Sequence, residues 1–285
     1  KVLGRSDYVA KAGVCTWLNG VYWLEIVARR PDGLVVVSNV TEGGKYEVES
    51  VQAAIEPDLL YPLLRGRDTD RWQAVPRVCI LMVQDPEKRR GYDEEWLRVT
   101  YPKTYAYLKR FEEPLRHRSG YRRYFRDSDP FYSMFNVGEY TFAPYKVVWR
   151  EQASRLTAAV AAGGDSPVVP DHKLMLVPFE DGQAAHYVCA MLNSSPAQFV
   201  VLSYTINIQM DTHVLENIRV PTFDAADSNH QMLAELSLQA HEAAGAGDAT
   251  QLSKVEAEVD RLAAMVWGLT HAELEDIQES LAEMG

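Results

Sequence analysis

Apolar positions in the first fifty residues fall into short runs rich in β-branched and aromatic side chains. Gly20–Arg29 (GVYWLEIVAR) and Gly33–Val40 (GLVVVSNV) are two such runs, and Arg30-Pro31-Asp32-Gly33 between them has the composition of a tight turn. The pattern predicts a hairpin, with the alternating segment Lys45–Val51 (KYEVESV) as a third strand. Ala10–Gly20 carries two glycines and reads as loop. Arg77–Val83 (RVCILMV) is a short, nearly continuous apolar run of the kind that forms a fully buried strand, and Asp85-Pro86 ends it.

The period then changes. From Pro102, a residue pre-organised for a first helical position, Tyr105, Leu108, Phe111 and Leu115 recur at helical spacing. Pro114 is expected to bend or end that helix near its last turn. Strand-like segments return at Tyr145–Glu151 and His172–Glu180, and the Ala/Gly/Pro-rich stretch Ala158–Pro170 between them reads as an exposed loop. Gln183–Leu192 and Ala197–Tyr204 read as two short helices divided by Asn193-Ser194-Ser195-Pro196.

The remainder is helical. Leu233, Leu236, Ala240 and Ala243 form one stripe, and Leu252, Val255, Val259, Leu262 and Val266 a second. Thr270 and Glu273 form a capping box leading into Leu274, Ile277 and Leu281. The elements together predict an α/β (α+β) fold: a mixed, largely antiparallel sheet with packed helices, followed by a helical C-terminal region.

Between the first strands and the Arg77 run lies Pro57–Trp72 (PDLLYPLLRGRDTDRW), where an apolar run gives way to Arg65, Arg67, Asp68, Asp70 and Arg71. An arginine fork can bind a phosphate or the O6/N7 edge of guanine with two hydrogen bonds. The same residues read equally well as a structural network in which Asp68 and Asp70 pair with the arginines.

Charge changes this picture more than composition does. With 47% hydrophobic and 24% charged residues the chain is an ordinary folded protein, and its net charge of −11 excludes one that coats DNA indiscriminately. The charge is unevenly spread, however. Lys88–Arg126 has 12 Lys/Arg against 5 Asp/Glu, whereas Asp211–Gly285 has 3 against 15. Such asymmetry points to one region facing an anionic partner and another facing solvent or protein. The three cysteines, Cys15, Cys79 and Cys189, are far apart and have neither zinc-ligand spacing nor an even-numbered disulfide pattern, so buried thiols in a reducing cytoplasm are expected. No apolar run is long enough to span a membrane.

No catalytic motif is present: no GxSxG, HExxH, GxxxxGK[ST], or GxGxxG following a strand. Pro170-Asp171-His172-Lys173 has the Pro-Asp start of a nuclease metal site, but no Glu-x-Lys follows at strand spacing. Binding features are better represented. Lys88, Arg89 and Arg90 form a basic loop suited to phosphate contact. In Arg116–Arg126 (RHRSGYRRYFR), Arg116, Arg118, Arg122 and Arg123 can reach phosphates or guanines while Tyr121, Tyr124 and Phe125 stack or pack. Asn207 and Gln209 are amides able to read adenine. Each has a plain alternative: a solvated loop, a helix edge with its aromatics in the core, or an ordinary polar loop.

The order of segments is more specific than any one of them. GVCTWLNGVYWLEI, IEPDLLYPLLRGRDTDRW, YPKTYAYLKRFEEPLRHR, FAPYKVVW, HYVCAMLNSSPAQFVVLSY, HVLENIRVPTF and VEAEVDRLAAMVWGLTHAELEDI together span nearly the whole chain. In this order they resemble the C-terminal target-recognition region (the TaqI-like specificity domain) of large adenine-N6 DNA methyltransferases, including type IIG restriction–modification enzymes and the methylases of BREX phage-defence systems. The resemblance implies a sequence-specific DNA-recognition domain at 1–227 and a helical support region at 228–285. It also implies double-stranded DNA and a methyltransferase domain of the same polypeptide as partners, in a prokaryotic cytoplasm.

The Asn/Asp-Pro-Pro-Tyr/Phe tetrapeptide and the glycine-rich S-adenosylmethionine motif of that family do not occur here. The resemblance therefore implies that catalysis and S-adenosylmethionine belong to another part of the parent protein, which is expected to be a site-specific DNA methyltransferase. This chain is expected to have no cofactor, metal or catalytic residue of its own. The DNA-contact set expected from the residues is Arg65, Arg67, Arg71, Lys88, Arg89, Arg90, Arg116, Arg118, Tyr121, Arg122, Arg123, Asn207 and Gln209. The alternative is a protein-interaction module of such a system that touches DNA only indirectly.

Overall fold

A computed structural model describes residues 1–42, 46–204 and 209–284. The first sheet holds β1 (Trp23–Arg29), β2 (Val35–Asn39), β3 (Gln52–Ile55), β4 (Leu60–Leu64) and β5 (Val78–Leu81). Its order is β4-β5-β1-β2-β3, antiparallel throughout, with Val169–Pro170 added in parallel beside Leu63–Leu64. The predicted hairpin is β1–β2, in which Leu24 faces Asn39 and Val35 and Val37 point into the core.

The third strand begins later than the alternation suggested. Asn39 donates to the Gly20 and Glu49 carbonyls at 2.7 and 2.9 Å and accepts the Val51 N–H at 2.7 Å. The groups that would open a ladder are thus taken by a side chain, and pairing with β2 starts at Gln52.

Four short helices cover this sheet: α1 (Glu94–Thr100), α2 (Pro102–Lys109), α3 (Glu112–His117) and α4 (Ser119–Tyr124). The helix predicted from Pro102 stops at Lys109, and Pro114 lies in the first turn of α3, where its missing N–H costs little. Leu97, Tyr107, Leu108, Phe111 and Leu115 join the first sheet's core.

A second sheet consists of β6 (Tyr145–Arg150), β7 (Ala158–Ala162) and β8 (Leu174–Phe179), all antiparallel, with β6 in the middle and Lys11–Ala12 beyond β8. β7 corrects the expected loop. Alanine has little strand preference of its own, but this edge is satisfied by remote side chains. Asn193 bonds both the N–H and the C=O of Ala158 (2.9 and 2.8 Å), and His241 Nε2 accepts the Val160 N–H at 2.9 Å.

The rest is helix: α5 (Gly182–Asn193), α6 (Ser195–Tyr204), α7 (Ser228–Ala246), α8 (Ala249–Val266) and α9 (His271–Met284). Asp227 and Asp248 cap α7 and α8, and Gly247 ends α7 with φ +70°. The capping box forms as predicted: the Thr270 N–H reaches Glu273 at 2.7 Å and the Glu273 N–H reaches Thr270 Oγ1 at 3.2 Å. Leu233, Ala240, Val255, Val259 and Leu262 pack in one core with Val147, Trp149, Val177 and the buried face of α5.

Pro57–Trp72 crosses all of this. Leu59 and Leu63 lie in the first sheet's core, Leu64 in a small cluster with Val148 and Leu176, and Trp72 in the core of the second sheet and the helices. Glu256 of α8 fastens the far end, its Oε1 accepting from Arg71 Nε at 2.5 Å and from the Trp72 indole at 2.8 Å.

Arg118 ties three other segments together. The residue is 4% exposed, and its guanidinium donates to the carbonyls of Leu115 (2.8 Å), Thr16 (2.6 Å), Phe131 (2.7 Å) and Ser133 (3.0 Å). It also lies 5.6 Å from the ring centres of Tyr22 and Tyr121. Four carbonyl dipoles and two aromatic faces replace the water a buried cation loses.

Arg118→Ala leaves those carbonyls without a donor and is expected to lower the free energy of unfolding by about 3 kcal/mol or more. A drop below ~1 kcal/mol in urea titrations would show that the carbonyls find other donors.

Acid behaviour has a signed expectation as well. Burial pushes His186 down to about 4 and lowers His241, whose ring centre is 5.2 Å away. The unfolded chain takes up these protons near the ordinary value of 6.5 and the folded one does not, so their contribution to stability is lost as pH falls from 6.5 towards 4. Asp171, pushed up to about 6 by burial, acts oppositely: its contribution is lost as pH rises from 3.8 through 6. His186→Gln is expected to weaken the loss of stability on acidification over that window. Identical pH profiles for variant and wild type in urea unfolding would contradict it.

Candidate nucleic-acid interface

Half of the twelve cations in Lys88–Arg126 are answered by a carboxylate. Lys88 pairs with Asp85 (3.3 Å), Arg90 with Asp129 (3.3 Å), Arg98 with Glu95 (2.6 Å) and Lys109 with Glu112 (2.5 Å). Arg110 pairs with Glu49 (3.3 Å), and Arg116 with Glu112 (2.9 Å) and Glu94 (3.8 Å). Arg89, Lys103, Arg122, Arg123 and Arg126 are exposed and have no ion pair among the described residues.

Three backbone devices bring Arg89 beside one aromatic cluster, against which Arg123 also lies. In the first, Asp85 Oδ1 accepts the Glu87 and Lys88 N–H groups, both at 3.0 Å, in a tight turn that holds Arg89 at φ +54°. The Lys88 N–H bond is the main influence holding the Asp85 carboxyl below its usual range. In the second, Gln84 exchanges hydrogen bonds with the Met134 backbone (2.7 and 2.9 Å), and Ser133 Oγ accepts the Gly91 N–H at 2.9 Å. The turn is thereby bolted to the segment carrying Phe135 and Asn136. In the third, Cys15 and Phe135 exchange backbone bonds at 3.0 Å each, which sets Trp17 beside Phe135.

The rings then stack. Tyr124 lies 4.3 Å from Phe135 and 5.8 Å from Trp17, with interplanar angles of 20° and 7°. Gly120 makes room for the indole, because a Cβ there would sit 1.9 Å from the Trp17 ring. Tyr124 is 47% exposed, and the Arg123 guanidinium lies 5.2 Å over its ring. A shallow cavity of about 210 Å³ joins Arg89 to Tyr124, Phe125, Asn136 and Tyr140. Cations without counter-charges beside an exposed aromatic face can hold a phosphate backbone and stack a base.

The other expected contacts sort differently. Arg65 is 6% exposed, its guanidinium held by Asp68 (2.5 and 3.1 Å) and lying 5.9 Å from the Trp23 ring centre. Arg118 is buried on carbonyls. Tyr121 is buried too, its hydroxyl donating to Arg126 and Asp129 carbonyls at 3.1 and 2.6 Å. These three are corrected from contact residues to scaffold, since no DNA reaches a guanidinium or hydroxyl already enclosed and bonded. Arg71 is bound to Glu256.

Arg67 is exposed, without an ion pair among the described residues, on a 3₁₀ turn (Gly66–Asp68) beside Lys173. Gln209 is exposed and forms a lone antiparallel bridge with Gln152. Asn207 lies outside the described residues.

Sequence reasoning left out Trp17, Phe135 and Asn136, and it named Tyr124 only as a residue that stacks or packs. The alternation of arginine with aromatics at 121–125 was the available signal for Tyr124. Trp17 and Phe135 reach the cluster only through the Cys15–Phe135 pairing. Among the described residues no group of three or more His, Cys, Asp or Glu could hold a metal ion, and no helix is long and apolar enough to cross a membrane.

No family model matches the chain. Over 156 residues, half of its length, it is 30% identical to the type II methyltransferase M.NspV of Nostoc sp., a weak homology in which the chain spans 29% of that protein. Its fold is similar to that of the type IIL restriction–modification enzyme MmeI, solved in complex with DNA, with a TM-score of 0.53 at 9% identity. That likeness covers 98% of this chain and 37% of the enzyme, so the chain has the fold of part of a restriction–modification protein.

Proposed function

We propose that this chain is the DNA target-recognition part of an adenine-N6 DNA methyltransferase of a restriction–modification or phage-defence system, acting in a prokaryotic cytoplasm. The observation that carries this reading is the unneutralised Arg89 and Arg123 beside the exposed Tyr124 stack, with Arg122 exposed and adjacent in sequence, in a chain with an overall charge of −11. A protein of negative net charge that keeps free guanidiniums beside one rigid aromatic face is suited to bind DNA in one orientation.

On this reading Arg89, Arg122 and Arg123 hold phosphates, and Tyr124 and Asn136 meet bases or sugars. Arg67 and Gln209, both exposed, are the further contact candidates. The transfer itself, with S-adenosylmethionine, belongs to a methyltransferase domain of the same polypeptide outside this chain. The weak homology to M.NspV and the fold likeness to MmeI support this reading. The exposed carboxylates of α9, among them Glu275, Asp276, Glu279 and Glu283, suit a protein neighbour or solvent rather than DNA.

Changing Arg89, Arg122 and Arg123 together to Ala is expected to weaken duplex binding. It should also flatten the slope of log K against log salt by about 2–3, near 0.9 for each lost phosphate contact. Unfolding should change little, since none of the three is buried or ion-paired. An unchanged salt slope would move the DNA surface elsewhere. The chain alone is expected to transfer no methyl group from labelled S-adenosylmethionine to DNA, and transfer would contradict the assignment of catalysis to another part of the parent protein.

A further inference from the structure

Behind the aromatic face lies a second, larger cavity of about 530 Å³, a size typical of small-molecule sites. Trp17 belongs to both: its ring stacks against Tyr124 and Phe135 and also lines the cavity, with Trp23 as a second indole wall. The rest of the wall mixes Cys15 and Leu18 with polar groups. It contains Asn19, Asp171, His172 and Lys173, the last three from the Pro-Asp-His-Lys segment that matched no metal site in the sequence and forms none here.

Asp171 is held in place by its backbone. Its N–H donates to the Leu64 carbonyl at 2.9 Å, and Gly13 packs so closely that a Cβ would lie 2.0 Å from the Asp171 carbonyl oxygen. Its side chain is less committed. Oδ1 accepts the Lys173 N–H at 2.8 Å, while Oδ2 makes no hydrogen bond among the described residues. His172 Nδ1 is buried and has no partner among the described residues. A buried group of this kind raises the energy of the empty protein and is satisfied by a ligand with a matching polar atom, and Asp171 Oδ2 is an acceptor left over beside it. Burial pushes Asp171 up to about 6 and holds His172 below the usual imidazole range. Near neutral pH His172 is therefore uncharged, and Asp171 is within reach of either protonation state.

We propose that this cavity receives a single unpaired nucleobase, with its ring against the indole walls, its polar edge on Asp171 and His172, and its phosphate towards Lys173. A flat heterocycle that carries hydrogen-bonding groups in its plane and an anion on its sugar satisfies all three features at once. The base has two possible sources, a nucleotide displaced from the duplex on the adjoining face or a free nucleotide. Only the first rests on the DNA-recognition reading.

Ser119 is exposed at the mouth of the cavity, so Ser119→Tyr plugs it without disturbing the core. Asp171→Asn alters the polar wall and leaves the backbone anchors in place. Binding is measured by calorimetry for three probes: a fully paired duplex, the same duplex with one bulged nucleotide, and each deoxynucleoside monophosphate. The wild type is expected to bind the bulged duplex at least tenfold more tightly than the paired one. Ser119→Tyr should erase that preference, Asp171→Asn should reduce it, and neither should change affinity for the paired duplex.

Monophosphate binding that Ser119→Tyr abolishes, in a chain that binds no duplex, would uphold the cavity with a free nucleotide as its occupant and refute the DNA reading. Duplex binding with neither a bulge preference nor monophosphate binding would refute the cavity and leave the DNA reading standing. A bulge preference or monophosphate binding that survives Ser119→Tyr would also overturn it.

Discussion

The buried guanidinium of Arg118 is the constraint on which the candidate interface depends. It sits at the start of α4 and gathers carbonyls from the Thr16 loop, from Leu115 at the end of α3, and from Phe131 and Ser133. Those segments carry the three stacking residues: Trp17 follows Thr16, Tyr124 ends α4, and Phe135 follows Ser133. A charged donor fixed by four acceptors sets orientation as well as distance, because each planar N–H must aim at its own carbonyl. With the interior arginine immobilised, the short helix that follows it carries Arg122 and Arg123, both exposed.

Charge on this protein is best understood as what remains after pairing. Six of the twelve cations between Lys88 and Arg126 face a carboxylate, and exposed pairs of that kind contribute little to stability. They matter here by cancelling. A phosphate approaching the region meets a strong field only where a guanidinium has no partner, beside an aromatic surface of definite shape. The acidic C-terminal helices reinforce the contrast, since they make the opposite charge the rule elsewhere. A net charge of −11 and a DNA-facing surface are therefore compatible.

Much of the fold was legible because local pattern and tertiary setting agree. The β1–β2 hairpin, the Thr270–Glu273 box and the stripes of α7 and α8 all have signals within a few residues of themselves. Where legibility failed, the deciding group came from far along the chain. Nothing near Ala158–Ala162 announces that Asn193 and His241 will satisfy a strand there. The site obeys the same logic. Arg118, Arg122 and Arg123 share one run of sequence yet only Arg118 is buried, and the carbonyls that enclose it include one 102 positions away. Residue type identified the region, and burial separated scaffold from surface within it.

The Pro57–Trp72 stretch makes that separation sharpest. Read alone, its arginines were as suited to a binding edge as to an ion-pair network. Two of the three are committed inward: Arg65 to Asp68, and Arg71 to a Glu256 oxygen that also receives the Trp72 indole. The stretch must pass from the first sheet's core to the core of the second sheet and helices, and a chain crossing between two cores needs its polar groups satisfied on the way. Arginine suits that task for the reason it suits DNA, since one planar group supplies several directed donors. Only Arg67, carried outward by the 3₁₀ turn between the two anchored residues, keeps a guanidinium free for another molecule.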